Sequence, residues 1–169
     1  MMVSLLIPWL PALTIFMAVV VQEMAMPFAA WSVFRPDLVL ICLFYWRLYR
    51  PDRCGPILAL FAGLLVDVVS GAPLGLNAVS NILLILLIGR FGRLIRSIDF
   101  FYLLFVLLFL VCLAEGIQLA LAALKWGSAA RWTLLTGRPL ATMLIAPAVI
   151  HLLVTIHQSW LEEEPHARR

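Results

Sequence analysis

Six long apolar runs occupy most of this 169-residue chain, and they decide what it can fold into. They are Leu5 to Met26, Leu38 to Tyr49, Pro56 to Ser70, Leu74 to Gly89, Phe100 to Leu124 and Leu140 to Trp160. A helix crosses a hydrocarbon core in about 20 residues, at about 1.5 Å each. The first, fifth and sixth runs meet that length. The second, third and fourth are short; they borrow flanking residues, thin the bilayer, or pack as interior helices. Alternatively, runs three and four merge into one re-entrant hairpin. Composition says the same. The chain is 64% hydrophobic and 12% charged, with a mean hydropathy of +1.07, against roughly 45–50% and about 25% in soluble domains. A water-soluble fold of this size cannot hide so much apolar surface. The expected fold is an all-α integral membrane bundle of about six transmembrane helices, a single domain over residues 1–169. The helices are predicted at about 5–26, 36–49, 56–70, 74–90, 100–124 and 139–160, with a short tail at 161–169.

The breaks between runs have physical causes. Pro27 ends the first helix. Arg35-Pro36-Asp37 reads as a helix start, because proline fits a first turn and Asp37 meets the positive end of the helix dipole. Pro51 and Pro56 bracket the next loop. Gly71-Ala72-Pro73-Leu74-Gly75 is a tight turn. Pro139 is expected to open the sixth helix and Pro147 to kink it. The start, Met1-Met2-Val3-Ser4, lacks the basic segment of a secretory signal, so the first run is expected to be a retained helix.

Charge then sets orientation. The second and fourth loops and the C-terminus carry Arg47, Arg50, Arg53, Arg90, Arg93, Arg96, Arg168 and Arg169, and the opposite side carries Arg35, Lys125, Arg131 and Arg138. The richer side is expected to be cytoplasmic, and with an even number of crossings both termini face the cytoplasm. The net charge of +3 is scattered through short loops, so it offers no basic surface for nucleic acid. The acidic Glu162-Glu163-Glu164 counts little in this rule. Cys42, Cys54 and Cys112 form no C-x-x-C or Cys/His cluster, so neither a disulfide framework nor a metal site is suggested. Trp9, Trp31, Trp46, Trp126, Trp132 and Trp160 all fall near predicted helix ends, as an interfacial aromatic belt requires.

Polar residues inside apolar runs each need a reason. The carboxylates are Glu23, Asp67 and Glu115, none with an obvious basic partner at its own depth. Glu23 lies near a helix end and is expected to face water. Asp67 belongs to a stripe of small residues at four-residue spacing, Ala59, Gly63, Asp67 and Gly71, on one helix face. Such a stripe lets a second helix approach closely, with the polar group bonding across the contact. Glu115 with Gln118, Asn77 with Asn81, and His151 with Thr155 and Gln158 extend the polar set, and together they predict one interior polar seam. Interhelical hydrogen bonding accounts for such a seam at roughly 1 kcal/mol per bond, and a lone histidine there is a packed residue before it is a metal ligand. The basic loop Lys125 to Arg138, with two tryptophans, is placed at the outer membrane boundary.

Signatures of nucleotide binding, zinc hydrolysis and serine nucleophiles are absent from the sequence, as is a voltage-sensor arginine ladder. Three local features carry a family resemblance: Phe34-Arg35-Pro36-Asp37-Leu38-Val39-Leu40 running into Tyr45-Trp46; Gly63-Leu64-Leu65-Val66-Asp67-Val68-Val69-Ser70-Gly71; and Pro73-Leu74-Gly75. They resemble the Arg-Pro-(Asp/Asn), G-x-x-x-D-x-x-x-G and Leu-Gly signatures of the rod shape-determining MreD family. The resemblance covers Phe34 to Gly75 well, and the rest of the chain as hydrophobic helices. It marks Arg35, Pro36, Asp37, Asp67, Gly71 and Gly75 as family positions, structural or partner-facing in role, beside the seam of Asn77, Asn81, Glu115 and His151.

The resemblance implies a bacterial inner-membrane protein of the cell-elongation machinery that makes peptidoglycan. Its implied partners are MreC and, through the complex, MreB, RodA and a penicillin-binding transpeptidase. It also implies a fold similar to the S-components of energy-coupling-factor transporters. The expected function is therefore a non-catalytic membrane scaffold with no cofactor. The alternatives are a small-molecule-binding S-component-like subunit and a membrane enzyme using Asp67 and Glu115 as an acid/base pair.

Overall fold

A computed structural model of the chain describes residues 9–24, 35–126 and 134–161. They form six helices: α1 Leu10–Glu23, α2 Leu38–Tyr49, α3 Pro56–Ser70, α4 Leu76–Ile95, α5 Phe100–Trp126 and α6 Leu134–Leu161. Three segments, Leu76–Ile95, Phe100–Leu121 and Gly137–Ser159, are long and apolar enough to cross a membrane. The 14, 12 and 15 residues of α1, α2 and α3 fall short of that length.

The middle of the bundle is α2. It packs against α1, α4 and α6 and touches α5, while α3 lies on α4 and α5 on α6. Its sequence explains the position. Val39 to Trp46 and Leu48 are all buried, and a helix apolar all round finds neighbours on every side. Asp37 starts it, its Oδ1 accepting the Leu40 N–H at 3.0 Å. That is an N-cap, satisfying one of the free donors of the first turn. The outer helices keep an apolar face uncovered: Ile57, Phe61 and Val68 on α3, Phe101, Phe105 and Phe109 on α5, Leu140, Leu144 and Leu152 on α6. Outward apolar surface of this kind suits lipid and not water.

Several sequence expectations change here. The fourth helix runs on past Gly89 to Ile95, because Ile88, Gly92 and Ile95 continue the buried stripe begun by Leu84 and Ile85. The sixth begins at Leu134, so Pro139 lies inside it with Pro147. Each removes one N–H from the helix ladder, while the flanking turns hold. Trp46 leaves the aromatic belt: it is 1% exposed, and its Nε1 donates to Thr14 Oγ1 at 2.8 Å. Trp9 is 67% exposed at the start of α1, and Trp126 and Trp160 close α5 and α6. Trp31, Trp132 and the tail beyond Leu161 lie outside the described residues.

Candidate functional site: a buried polar network at one end of the bundle

Chain order places the end of α1, the start of α2, the α3–α4 turn, the second half of α5 and the start of α6 at one end of the bundle. The seam's Asn77, Asn81 and Glu115 gather there, with polar residues that sequence spacing did not single out.

Asp67 is the centre. It is fully buried. Its Oδ2 accepts the Gly75 N–H at 2.8 Å. Its Oδ1 accepts the Asn77 N–H at 3.0 Å and the Asn77 side-chain amide at 2.8 Å. Gly75 is the N-cap residue of α4 and has no side chain to cap with. The cap is therefore supplied by α3, across the turn. A carboxylate there satisfies free backbone donors and meets the positive end of the α4 dipole.

Three glycines make that reach possible, in two different ways. At Gly63 the helices nearly touch: an added Cβ would lie 2.6 Å from the Ala78 nitrogen and 2.7 Å from the Asn77 carbonyl carbon. Glycine there brings α4 close enough for Asp67, one turn further along α3, to bond its first turn. Gly71 and Gly75 hold φ of +68° and +97°, with open space around each. Their requirement is a left-handed backbone. Close helix approach, which the small-residue stripe assigned to Gly71 as well, belongs to Gly63.

The network continues into α5. Gln118 Nε2 donates to Asn77 Oδ1 at 3.0 Å and lies 3.2 Å from Ser80 Oγ. Ser80 Oγ in turn bonds the Leu76 and Asn77 carbonyls. Asn81 is buried one turn beyond Asn77, and its side chain makes no hydrogen bond among the described residues. His151 is not part of the seam. It is exposed on α6, as are Thr155 and Gln158, because the buried face of α6 runs through Thr142, Ala146, Ile150 and Leu153.

Both remaining carboxylates have cationic partners, contrary to the expectation from the runs. Glu23, expected to face water, has a side chain only 5% exposed and pairs with Arg35 Nη1 at 2.8 Å. Glu115 lies 3.0 Å from Arg138 Nη1. Sequence distance hid these pairs: the apolar runs left Arg35 and Arg138 at loop edges, whereas Arg138 stands in the second turn of α6 and both guanidinium groups reach the carboxylates. Thr142 and Gln22 were also missed. Thr142 Oγ1 accepts the Asp37 N–H at 2.9 Å, and Gln22 Oε1 accepts the Val39 N–H at 3.1 Å. Together they anchor the first turn of α2 to α6 and α1. Pro36, buried beside them, cannot donate an N–H. The adjacent polar pair Gln22-Glu23 closing an apolar run was the one available signal.

The other end of the bundle has its own contacts. Tyr45 Oη lies 3.0 Å from His157 Nδ1, and Arg50 Nε donates to His157 Nε2 at 3.4 Å. Arg47 Nη1 donates to the Pro51 and Cys54 carbonyls, tying the α2–α3 loop down. Burial pushes the thiol of Cys54 in that loop up to about 12, against the opposing pull of Arg47. No cluster of histidine, cysteine and carboxylate side chains suited to a metal ion occurs among the described residues.

The model of the family described as rod shape-determining protein MreD matches residues 3–156. The chain belongs to the MreD family. Its role accordingly lies in rod-shape determination. The match reaches from the first apolar run into α6, well beyond the Phe34 to Gly75 segment that carried the resemblance. No solved structure matches the chain.

Proposed function

We infer that this protein is a non-catalytic scaffold subunit of the bacterial complex that builds peptidoglycan during cell elongation. In this reading it is one domain crossing the inner membrane six times, with both termini cytoplasmic and with the outward, S-component-like end holding the polar network. MreC is the direct partner, and MreB, RodA and the transpeptidase follow through the complex. The observation that supports it is the use made of Asp67. Both oxygens of the one acid in the glycine-flanked motif bind N–H groups that start the next helix. Asp67 therefore builds a fixed α3–α4 surface. Arg35, Pro36, Asp37, Gly71 and Gly75 do the same for the neighbouring turns, and the partner meets the loops they hold. Glu115 is taken up by Arg138, so no free acid/base pair with Asp67 is assembled.

The test is affinity purification in mild detergent together with depletion in cells. MreC is expected to co-purify, and depleted cells are expected to round up. An empty pulldown with normal rods after depletion rejects the scaffold reading.

One observation favours the second reading, a small-molecule-binding subunit. Arg138 Nε and Arg35 Nε are buried without a hydrogen-bond partner among the described residues, and such atoms ordinarily have one. Native mass spectrometry of the purified protein separates the readings: a stoichiometric metabolite supports the binder, and its absence from freshly purified protein rejects it.

A further inference from the structure

Charges are handled differently at the two ends. At the Asp67 end Glu23 and Glu115 are held by arginines and Asp67 by N–H groups. At the opposite end the described residues include Arg47, Arg50, Arg53, Arg90, Arg93 and Arg96, against only Asp52 and Asp99. Half of these arginines have local work. Arg47 ties down the α2–α3 loop, Arg50 bonds His157, and Arg53 lies 3.4 Å from Asp52. The other three occupy the last turns of α4 and its C-cap. All are exposed, and among the described residues Arg90 and Arg93 have no side-chain partner. The Arg96 side chain bonds, among the described residues, only the Gly92 carbonyl, at 3.4 Å.

Their neighbours on the helix complete the pattern. At 100° per residue, Arg96, Arg93 and Arg90 follow one another around one flank of α4. Leu94 and Phe91, 66% and 47% exposed, continue the arc beyond Arg90. Gly92 and Ile95 occupy the opposite, buried side. A cationic flank thus adjoins an apolar one at the very end of a helix long enough to cross a membrane. The arrangement matches a phospholipid, with its phosphate on the arginines and an acyl chain along Leu94 and Phe91.

We propose that the C-terminal end of α4 is a binding site for anionic phospholipid, formed by Arg90, Arg93 and Arg96 with Phe91 and Leu94. Arginine serves because its planar guanidinium takes two phosphate oxygens at once. The site does not depend on the scaffold reading, since it needs neither MreC nor the polar network.

The full-length protein is reconstituted into vesicles of phosphatidylglycerol and phosphatidylcholine in equal proportion, re-extracted in mild detergent, and its retained lipid measured. Wild type is expected to enrich phosphatidylglycerol at least about fivefold, the factor for a single engaged arginine near a charged surface. The enrichment is expected to fall as salt is raised. The variant R90Q/R93Q/R96Q retains both lipids equally, whereas R90K/R93K/R96K keeps a clear preference. Because the glutamine variant could fail to fold, both variants are first compared with wild type by thermal unfolding, and single substitutions replace the triple if it is unstable. Wild type that retains the two lipids in bulk proportion overturns the proposal. So does a folded glutamine variant that enriches phosphatidylglycerol as wild type does.

Discussion

Replacing Asp67 with asparagine changes one atom and tests the central feature of the fold. The carboxylate accepts three N–H groups, two on Oδ1 and one on Oδ2, and donates none. By sequence alone Asp67→Asn looks conservative, since it keeps size and polarity. In the structure it is not. Only one oxygen remains, and the new NH2 group must face a donor. If the oxygen keeps the two bonds from Asn77, the amide confronts the Gly75 N–H. A hydrogen bond to a charged group contributes about 1.5–3 kcal/mol and a neutral one about 1 kcal/mol. Three charged bonds thus become two neutral ones, and a buried donor is left unpaired at a further cost of about 1–3 kcal/mol. The sum is a loss of about 4 kcal/mol or more, which for a chain of this size lowers Tm by about 8–16 °C. Thermal unfolding of purified protein in detergent or in lipid discs, followed by tryptophan fluorescence, reads it directly. Expression-matched complementation of cell shape is expected to fail in parallel. A Tm within about 2 °C of wild type would mean that Asp67 does not cap α4, and the account of the turn would be wrong. A double-mutant cycle with Asp67→Ala and Asn77→Ala sharpens the result, because directly bonded residues show a coupling of about 0.5–3 kcal/mol.

Gly63→Ala is expected to be worse than its single methyl suggests, about 1–3 kcal/mol from overpacking alone, since the Cβ meets the backbone of Ala78; unfolding temperature measures it, and an unchanged value argues against the close α3–α4 approach. Gly75→Ala strains a positive φ without any clash, so a smaller loss of about 1 kcal/mol is expected in the same assay. Removing Glu115 alone should cost about 3–5 kcal/mol by stranding Arg138, while Glu115→Leu with Arg138→Met should recover most of it; a double variant no better than the single one rejects a buried pair. Cys54 is buried, and its thiol is held well above ordinary working pH. Only the thiolate attacks a maleimide, so at pH 7–8 labelling should appear only on unfolding; fast labelling of folded C42S/C112S protein would contradict that burial.

The hydrophobic runs marked all six helices because a polypeptide in lipid must satisfy its backbone bonds within each segment. Their length, and the prolines and glycines between them, were therefore enough to place the elements. Where the helix ends fell was less secure. The sixth helix starts at Leu134, ahead of Pro139, and α4 runs past Arg90 to Ile95, where a continuing buried face carries it on. The glycine-flanked Asp67 was also visible in sequence, because small residues and one acid at four-residue spacing share a face.

What the sequence by itself determined was the set of helices, their apolar outsides, the glycine-flanked acid of the Gly63–Gly75 segment and the family. Only the tertiary structure decided the partners of the buried charges, the roles of the two kinds of glycine and the exposure of His151. The physical reason is range. Helix formation follows from neighbours within a few residues, whereas Arg35 with Glu23, Gln118 with Asn77, and Thr142 with Asp37 meet over 12, 41 and 105 residues of chain. Side-chain length and packing set those meetings, and no local pattern encodes them.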